Sequence, residues 1–391
     1  MDARNKRWKS YIEEKIEDYK SAFKQKGITG LNEAICEELN AWKNEPVNIA
    51  VTGASGAGKS SLINAILGLS AEDDRAAAVG CTETTMTIKS YKHPRNKRFM
   101  IWDFPGVGTK KFPKESYLTL TNFGNYDFYI LASSTRFYDN DIWLANTIAK
   151  MGKHFYFVRT KFGNNVESEW KKQRRKKRSK EDIEKDLRMK IFEECKTNLM
   201  EFECRNNIFI VDSYETYHYD FIELGKRIIR DASEISEKKQ TVIILSLSAM
   251  TKPAIEEKKH ILQKRISRTA LRASFALRIK RSDVRILMEE EAFYRNQFKL
   301  DAESLEKDAM ASNIQSQLTD LELKLQSTGG QTTENEHILN EVESLIPFLL
   351  PFVNIVKTYK LSKLWLRNTL ESIVDSAIAV NEAMVKGLAR S

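Results

Sequence analysis

Apolar residues follow two different rhythms along this chain. From about residue 46 to 234, short apolar runs recur at 47–52, 86–91, 98–103, 127–132, 154–159 and 207–212, and each predicts a strand. Amphipathic stretches fit between several of them, at 60–68, 115–123, 139–150, 181–202 and 217–231. Strands alternating with helices predict a mostly parallel sheet covered on both faces. In such sheets ligands sit beyond the carboxyl ends of the strands.

On either side of this block the rhythm is helical. Tyr11, Ile12, Ile16, Tyr19 and Phe23 recur at helical spacing, Gly27 and Gly30 break the pattern, and a second helix is expected over 31–42. After about residue 235 helical periodicity continues to the end, punctuated at Pro253, Gly329-Gly330, Pro347 and Pro351. A final helix is expected over 355–388, with a stripe through Leu361, Leu364, Trp365, Leu370, Ile373, Val374, Ala377 and Ile378. The stripe reads first as core packing. Lys357, Lys360, Lys363 and Arg367 near its start leave a membrane-surface helix as the alternative. The expected organisation is N-terminal helices over 1–45, a sheet domain over 46–234 and a C-terminal helical domain over 235–391.

With 391 residues the chain has room for two or three domains. Its net charge of +9 comes mainly from one segment, 171–180, where eight of ten residues are Lys or Arg. The charge therefore describes one loop rather than a whole basic surface. Cys36, Cys81, Cys195 and Cys204 have no C-x-x-C spacing, which argues against a disulfide frame or a zinc site. No secretory signal opens the sequence, Asp2 stands where N-myristoylation needs glycine, and Leu-Ala-Arg-Ser at the end is not a prenylation box. The longest apolar stretch, 345–353, is too short to span a bilayer and carries two prolines. The expectation is a cytoplasmic protein whose membrane contact, if any, is peripheral.

The candidate chemistry begins directly after the first strand. Residues 53–60 read Gly-Ala-Ser-Gly-Ala-Gly-Lys-Ser, the phosphate-loop pattern G-x-x-x-x-G-K-[ST] between a strand and a helix. Backbone N–H groups of such a loop cradle phosphate oxygens, Lys59 would reach the β- and γ-phosphates, and the Ser60 hydroxyl would hold Mg²⁺. Gly53, Gly56, Ala57, Gly58, Lys59, Ser60 and Ser61, with Gly80 and Gly106, form the candidate phosphate-binding set. Trp102-Asp103-Phe104-Pro105-Gly106 follows an apolar strand and matches Asp-x-x-Gly. Asp103 would hold Mg²⁺ through water, and the Gly106 N–H would face the γ-phosphate. In the threonine-rich segment 81–85, Thr85 is the first choice for a switch hydroxyl on Mg²⁺ and Thr84 the second.

A base-reading motif is expected after the strand 154–159. Thr160-Lys161-Phe162-Gly163 supplies the Thr-Lys half, and the lysine stem can pack over a purine ring. Gly163 holds the place of the aspartate that would accept from guanine N1 and N2. A further base-contact loop falls at Val211-Asp212-Ser213, from which Asp212 could in principle supply a carboxylate.

Taken in order, these segments resemble the interferon-inducible immunity-related GTPases, a dynamin-related family. The resemblance runs through Gly-Lys-Ser at 58–60, Glu83-Thr84-Thr85-Met86, Tyr91-Lys92-His93-Pro94, residues 102–109, Tyr126-Asp127-Phe128-Tyr129, residues 155–161 and Tyr219-Asp220-Phe221. It continues with Leu245-Ser246-Leu247-Ser248 and Tyr294-Arg295-Asn296-Gln297-Phe298. It implies an α/β Ras-like P-loop GTPase domain, mostly parallel in its sheet, inserted in an all-α helical domain built from the N- and C-terminal segments. It further implies GTP as substrate with Mg²⁺, and assembly with itself or related GTPases through the nucleotide face. Action at intracellular membranes in cell-autonomous defence follows from the same resemblance.

Three departures stand out. Thr-Lys-x-Asp has become Thr-Lys-x-Gly, the family's Ser-Asn base loop appears as Asp212-Ser213, and Val79 replaces a threonine ahead of Gly80. Val107 also stands where Ras-like enzymes carry the water-orienting glutamine, so no catalytic residue is named. These departures leave a second expectation, a pseudo-GTPase partner of active family members. A nucleic-acid-binding ATPase would rest on the basic run alone and is set aside.

Overall fold

The computed structural model describes residues 3–80, 87–109, 111–134, 139–173, 178–199, 207–216, 218–246, 252–275, 283–300 and 351–388. The chain divides into two compact units, one of residues 43–249 and one formed by 1–42 with 250–391.

The first unit holds a six-stranded sheet. Its strands are β1 (Val47–Gly53), β2 (Lys89–His93), β3 (Asn96–Asp103), β4 (Phe128–Ser133), β5 (His154–Arg159) and β6 (Ile208–Ile210), in the spatial order β2-β3-β1-β4-β5-β6. Only β2 runs antiparallel, pairing with β3 as a hairpin; the other pairings are parallel. Every residue of β4 is buried and so is nearly all of β1, so these strands are apolar throughout rather than alternating, as a sheet covered on both faces requires.

The helices of this unit are α2 (Lys59–Leu67), α3 (Lys114–Leu120), α4 (Asp139–Lys150), α5 (Phe162–Gln173), α6 (Lys180–Asn198), α7 (Phe221–Ile235) and α8 (Glu237–Ser246); α1 (Ala3–Asn40) belongs to the other unit. One side of the core is aromatic. Phe104, Tyr117, Phe123, Tyr126 and Tyr129 are buried in a chain of edge-on and tilted ring contacts with centroids 4.9–6.4 Å apart.

Two features depart from the sequence pattern. Helix α5 was not among the expected helices; it buries Phe162 and Val166 beneath a polar outer face and takes in the first three residues of the basic run, 171–173. The unit boundary falls at 249/250 rather than 234/235, because α8 belongs with the sheet. Its Lys239 donates at 2.6 Å to Asp127, which also accepts from the Asn48 N–H of β1 at 2.9 Å. Ser246, at the end of α8, accepts from Asn96 on β3 at 3.0 Å.

The second unit is helical among its described residues: α1, α9 (Lys252–Phe275), α10 (Asp283–Gln297) and α11 (Pro351–Leu388). Gly27, at φ 61° and ψ −146°, bends α1, and the Tyr19 hydroxyl donates to Glu38 across that bend. The non-helical backbone at Gly27 splits α1 into two helical segments, as the sequence pattern predicts, with the break at Gly27 itself. On α11 the buried stripe runs through Trp365, Leu366, Leu370, Ile373, Val374 and Ala377, while Leu364, expected in it, is exposed. Helix α9 packs along α11, α10 and α1.

Arg265 of α9 ties three of these helices together. Its guanidinium donates twice to Glu290 on α10, at 2.8 and 3.0 Å, and once to the Leu39 carbonyl of α1, and it stacks 4.5 Å from the Phe293 ring centroid. Both members of the ion pair are nearly buried, with side chains 11% and 7% exposed. Glu290→Ala strands that charge and is expected to destabilise the protein by about 3–5 kcal/mol in denaturant unfolding followed by circular dichroism. The paired change Arg265→Met with Glu290→Leu is expected to lose much less, because no buried charge remains.

Candidate functional site

The strand order places the site. β1 sends its chain toward β3 on one side, and β4 lies on the other, so a crevice opens at the carboxyl end of β1. The loop 53–58 emerges there and feeds α2, whose N-terminal residue is Lys59. Gly53, Gly56 and Gly58 all have positive φ, at 137°, 74° and 78°. Gly58 precedes the helix in the left-handed region, which a side chain would strain. Such a run of left-handed turns ahead of a helix N-terminus is a geometry that receives anions.

A cleft of about 630 Å³ lies over this loop. Gly56, Ala57, Gly58, Lys59, Ser60 and Ser61 line one end, with Gly80 and Gly106 beside them; Thr160, Lys161, Asp212 and Ser213 line the rest. The structure thus brings most of the candidate residues to one cavity although they come from five loops. Gly53 and Asp103 sit just behind the lining, Gly163 is set back from it, and Thr84 and Thr85 lie outside the described residues. Ser55, Asn164 and Tyr214, which no sequence motif assigned to the site, also line the cleft, as does Val79 ahead of Gly80.

Local contacts fix each part. The Lys59 ammonium donates to the Ala54 carbonyl at 2.9 Å and the Gly53 carbonyl at 3.3 Å. Ser60 donates to the Asp103 carboxylate at 3.0 Å, so two of the three candidate metal residues are adjacent. Gly106 passes so near the loop that a Cβ on it would stand 2.8 Å from the Ser55 nitrogen, closer than side-chain carbons approach backbone. Asn64 on α2, which no motif flagged, is buried and exchanges two hydrogen bonds with the Ala77 backbone at 2.7 and 2.9 Å. It anchors the segment that leads to Val79 and Gly80.

The Thr-Lys pair is bound to the glycine loop itself. Thr160 donates to the Ala57 carbonyl at 2.6 Å and Lys161 to the Gly56 carbonyl at 2.9 Å. Lys161 adopts φ 57°, an uncommon conformation for a residue with a side chain, held by these contacts. Gly163, in the first turn of α5, donates its N–H to Asp212 Oδ2 at 3.0 Å, and Asp212 Oδ1 accepts from the Tyr214 N–H at 3.0 Å.

The six-stranded sheet, the glycine loop before α2 and the Thr-Lys loop packed on it define a Ras-like P-loop domain. The chain matches the family model of the interferon-inducible GTPases (IIGP) over residues 12–383. It is 37% identical to the T-cell-specific guanine nucleotide triphosphate-binding protein 2 of Mus musculus over 278 residues, which cover 70% of this chain and 65% of that protein. It is 34% identical to interferon-gamma-inducible GTPase 10 of Mus musculus over 336 residues, covering 84% of this chain and 78% of that protein. With interferon-inducible GTPase 5 of Rattus norvegicus it shares 31% identity over 333 residues, 83% of this chain and 70% of that one. The chain belongs to the interferon-inducible GTPase family, and its match spans just under two thirds of the first of these relatives.

Beneath the site, Tyr117 braces the Asp103–Gly106 segment. Its buried hydroxyl bonds to Thr52 of β1 at 2.8 Å and to the Pro105 carbonyl at 3.1 Å, and burial pushes its pKa well above the usual tyrosine range. Tyr117→Phe leaves both partners without that hydroxyl and is expected to destabilise the protein by about 1–3 kcal/mol in denaturant unfolding. A raised folded-state pKa means that stability is full below about pH 10, where an unfolded tyrosine begins to ionise, and falls above it. Tyr117→Phe is expected to remove that residue's share of the alkaline loss.

Proposed function

We propose that this chain binds and hydrolyses GTP, assembles with itself or related GTPases through its nucleotide face, and acts at intracellular membranes in cell-autonomous defence. The observation that carries the nucleotide part is the cleft, which gathers the glycine loop, Gly106, the Thr-Lys loop and Asp212-Ser213 around one 630 Å³ space. That is ample room for a nucleotide. Family membership supports the reaction and the setting.

In this reading Gly56–Ser61 and Lys59 hold the phosphates, and α2 directs its positive end at them. Ser60 and Asp103 would hold Mg²⁺: a hydroxyl and a carboxylate 3.0 Å apart are hard oxygen donors of the kind that ion takes alongside nucleotide phosphates. Among the described residues no cluster of three acidic, His or Cys side chains could hold a metal alone, which fits an ion shared with the nucleotide. When bound, the ion neutralises phosphate charge. Gly106 leaves its N–H open to the γ-phosphate, and Thr85 is the proposed switch hydroxyl.

A second reading is favoured by one residue. Val107 is buried and apolar where a water-orienting glutamine would stand. A pseudo-GTPase that binds nucleotide and pairs with active relatives accounts for it, as does an active enzyme completed by a partner across the nucleotide face. Turnover separates the two. Specific activity that rises with protein concentration supports assembly-completed hydrolysis; none at any concentration supports the pseudo-GTPase. Lys59→Ala is expected to lower GTP affinity at least a hundredfold in isothermal titration, while unfolding with an ordinary thermal midpoint. Unchanged affinity in that variant would remove the phosphate role of the loop. Neither reading needs a spanning segment: among the described residues no helix is long and apolar enough to cross a membrane.

A further inference from the structure

We infer that Asp212, from the loop after β6, takes the place of the base-reading carboxylate missing at residue 163, and that Gly163 is glycine to admit it. The inference rests on the nucleotide reading above and assigns the residue that selects guanine within it.

The geometry is specific. Asp212 Oδ2 lies 3.0 Å from the Gly163 nitrogen, and 2.9 Å from the point a Cβ on residue 163 would occupy. The Asp212 carboxylate therefore fills the space into which a side chain at 163 would grow. A Cβ there would push the Asp212 carboxylate out of its present position, so with Asp212 as it stands the space at 163 suits a residue without a side chain. Gly163 is not among the positive-φ residues, so the feature of the structure that favours a bare backbone at 163 is the nearby Asp212 carboxylate.

The same carboxylate is positioned and partly used. Oδ1 accepts from the Tyr214 N–H at 3.0 Å and Oδ2 from the Gly163 N–H. An ionised carboxylate offers about four acceptor sites, so each oxygen keeps one for a ligand. Asp212 is 6% exposed and still lines the cleft, beside the Lys161 stem and Ser213. A purine lying on that stem would meet a fixed pair of acceptors. Guanine presents two adjacent N–H donors, at N1 and N2, and matches them. Adenine presents an acceptor at N1 and would face repulsion. Xanthine carries a carbonyl in place of the N2 amine and would lose one bond.

A helix-capping role for Asp212 at the start of α5 is the competing account, and asparagine separates the two. Asn caps a helix as well as Asp does and keeps an oxygen for the Gly163 N–H. It replaces the second acceptor with a donor, which suits xanthine and opposes guanine. Isothermal titration of the full chain with GTP, xanthosine triphosphate and ATP in Mg²⁺ therefore tests the inference. Asp212→Asn is expected to weaken GTP about tenfold to a hundredfold and to strengthen xanthosine triphosphate, with a modest loss of thermal stability because its amide nitrogen cannot accept from the Tyr214 N–H. Gly163→Asp combined with Asp212→Ser is expected to recover GTP binding relative to Asp212→Ser alone, by returning the carboxylate to the other loop. An unchanged ratio of GTP to xanthosine triphosphate affinity in Asp212→Asn overturns the inference while leaving nucleotide binding intact. Equal binding of GTP and ATP by the parent chain also overturns it. No nucleotide binding by the parent overturns the nucleotide reading itself and this assignment with it.

Discussion

Strand β1 is hydrogen-bonded along both edges, to β3 from Val47 to Val51 and to β4 from Ile49 to Gly53. The register sets Val51 opposite Asp103 and Gly53 opposite Ala132. Both faces of β1 are buried, so its register is held by pairing along both edges at once rather than by an inside–outside alternation. Because it is held, the Asp103 carboxylate is carried to the Ser60 hydroxyl, and Gly106 to the Ser55 backbone. The hydroxyl of Tyr117 fastens the same two segments from below, between Thr52 and Pro105. The site is thus precise because the sheet beneath it has one way to pair.

Much of this was legible in the chain itself. All six strands were anticipated; five contain compact apolar runs, whereas β2, Lys-Ser-Tyr-Lys-His, is mostly polar and exposed. The glycine loop carried its own context, and helices α2, α4 and α6 began within a residue of their expected starts. Helix α5 was not legible. It opens with Gly163-Asn164-Asn165, residues that signal a turn, and ends in the basic run, so its two buried apolar residues were too few to show a period. The true boundary near 249 was hidden for a different reason. Helix α8 continues a helical rhythm and reveals its allegiance only through tertiary bonds, Lys239 to Asp127 and Asn96 to Ser246. Asn64 escaped as well, because a lone asparagine on a helix carries no pattern.

The base side shows the limit of motif reading most clearly. The linear pattern reports a missing carboxylate at 163. The fold puts one within 2.9 Å of the place its side chain would start, from a residue 49 positions away. A motif records which residue bears a group, whereas binding depends on where the group ends up. Two loops at the ends of neighbouring strands, β5 and β6, can exchange that duty without altering the strands. The helical unit makes a related point about charge: Arg265 is tolerated in an apolar setting because a bidentate carboxylate, a carbonyl and an aromatic face each meet part of its guanidinium.

The bonds from Thr160 and Lys161 to the carbonyls of Ala57 and Gly56 carry a mechanical consequence. In the nucleotide reading proposed above, they weld the phosphate and base ends of the cleft into a single template. A nucleotide seated at one end finds the other already in position, so its second contact forms at the high effective concentration of an intramolecular step. The converse also holds. A disturbance at the base end travels through Lys161, already in an uncommon backbone conformation, into the curvature of the glycine loop. Changes at the two ends are therefore coupled rather than additive. An altered base loop in a protein built this way acts on the grip of the phosphates as well as on the choice of base.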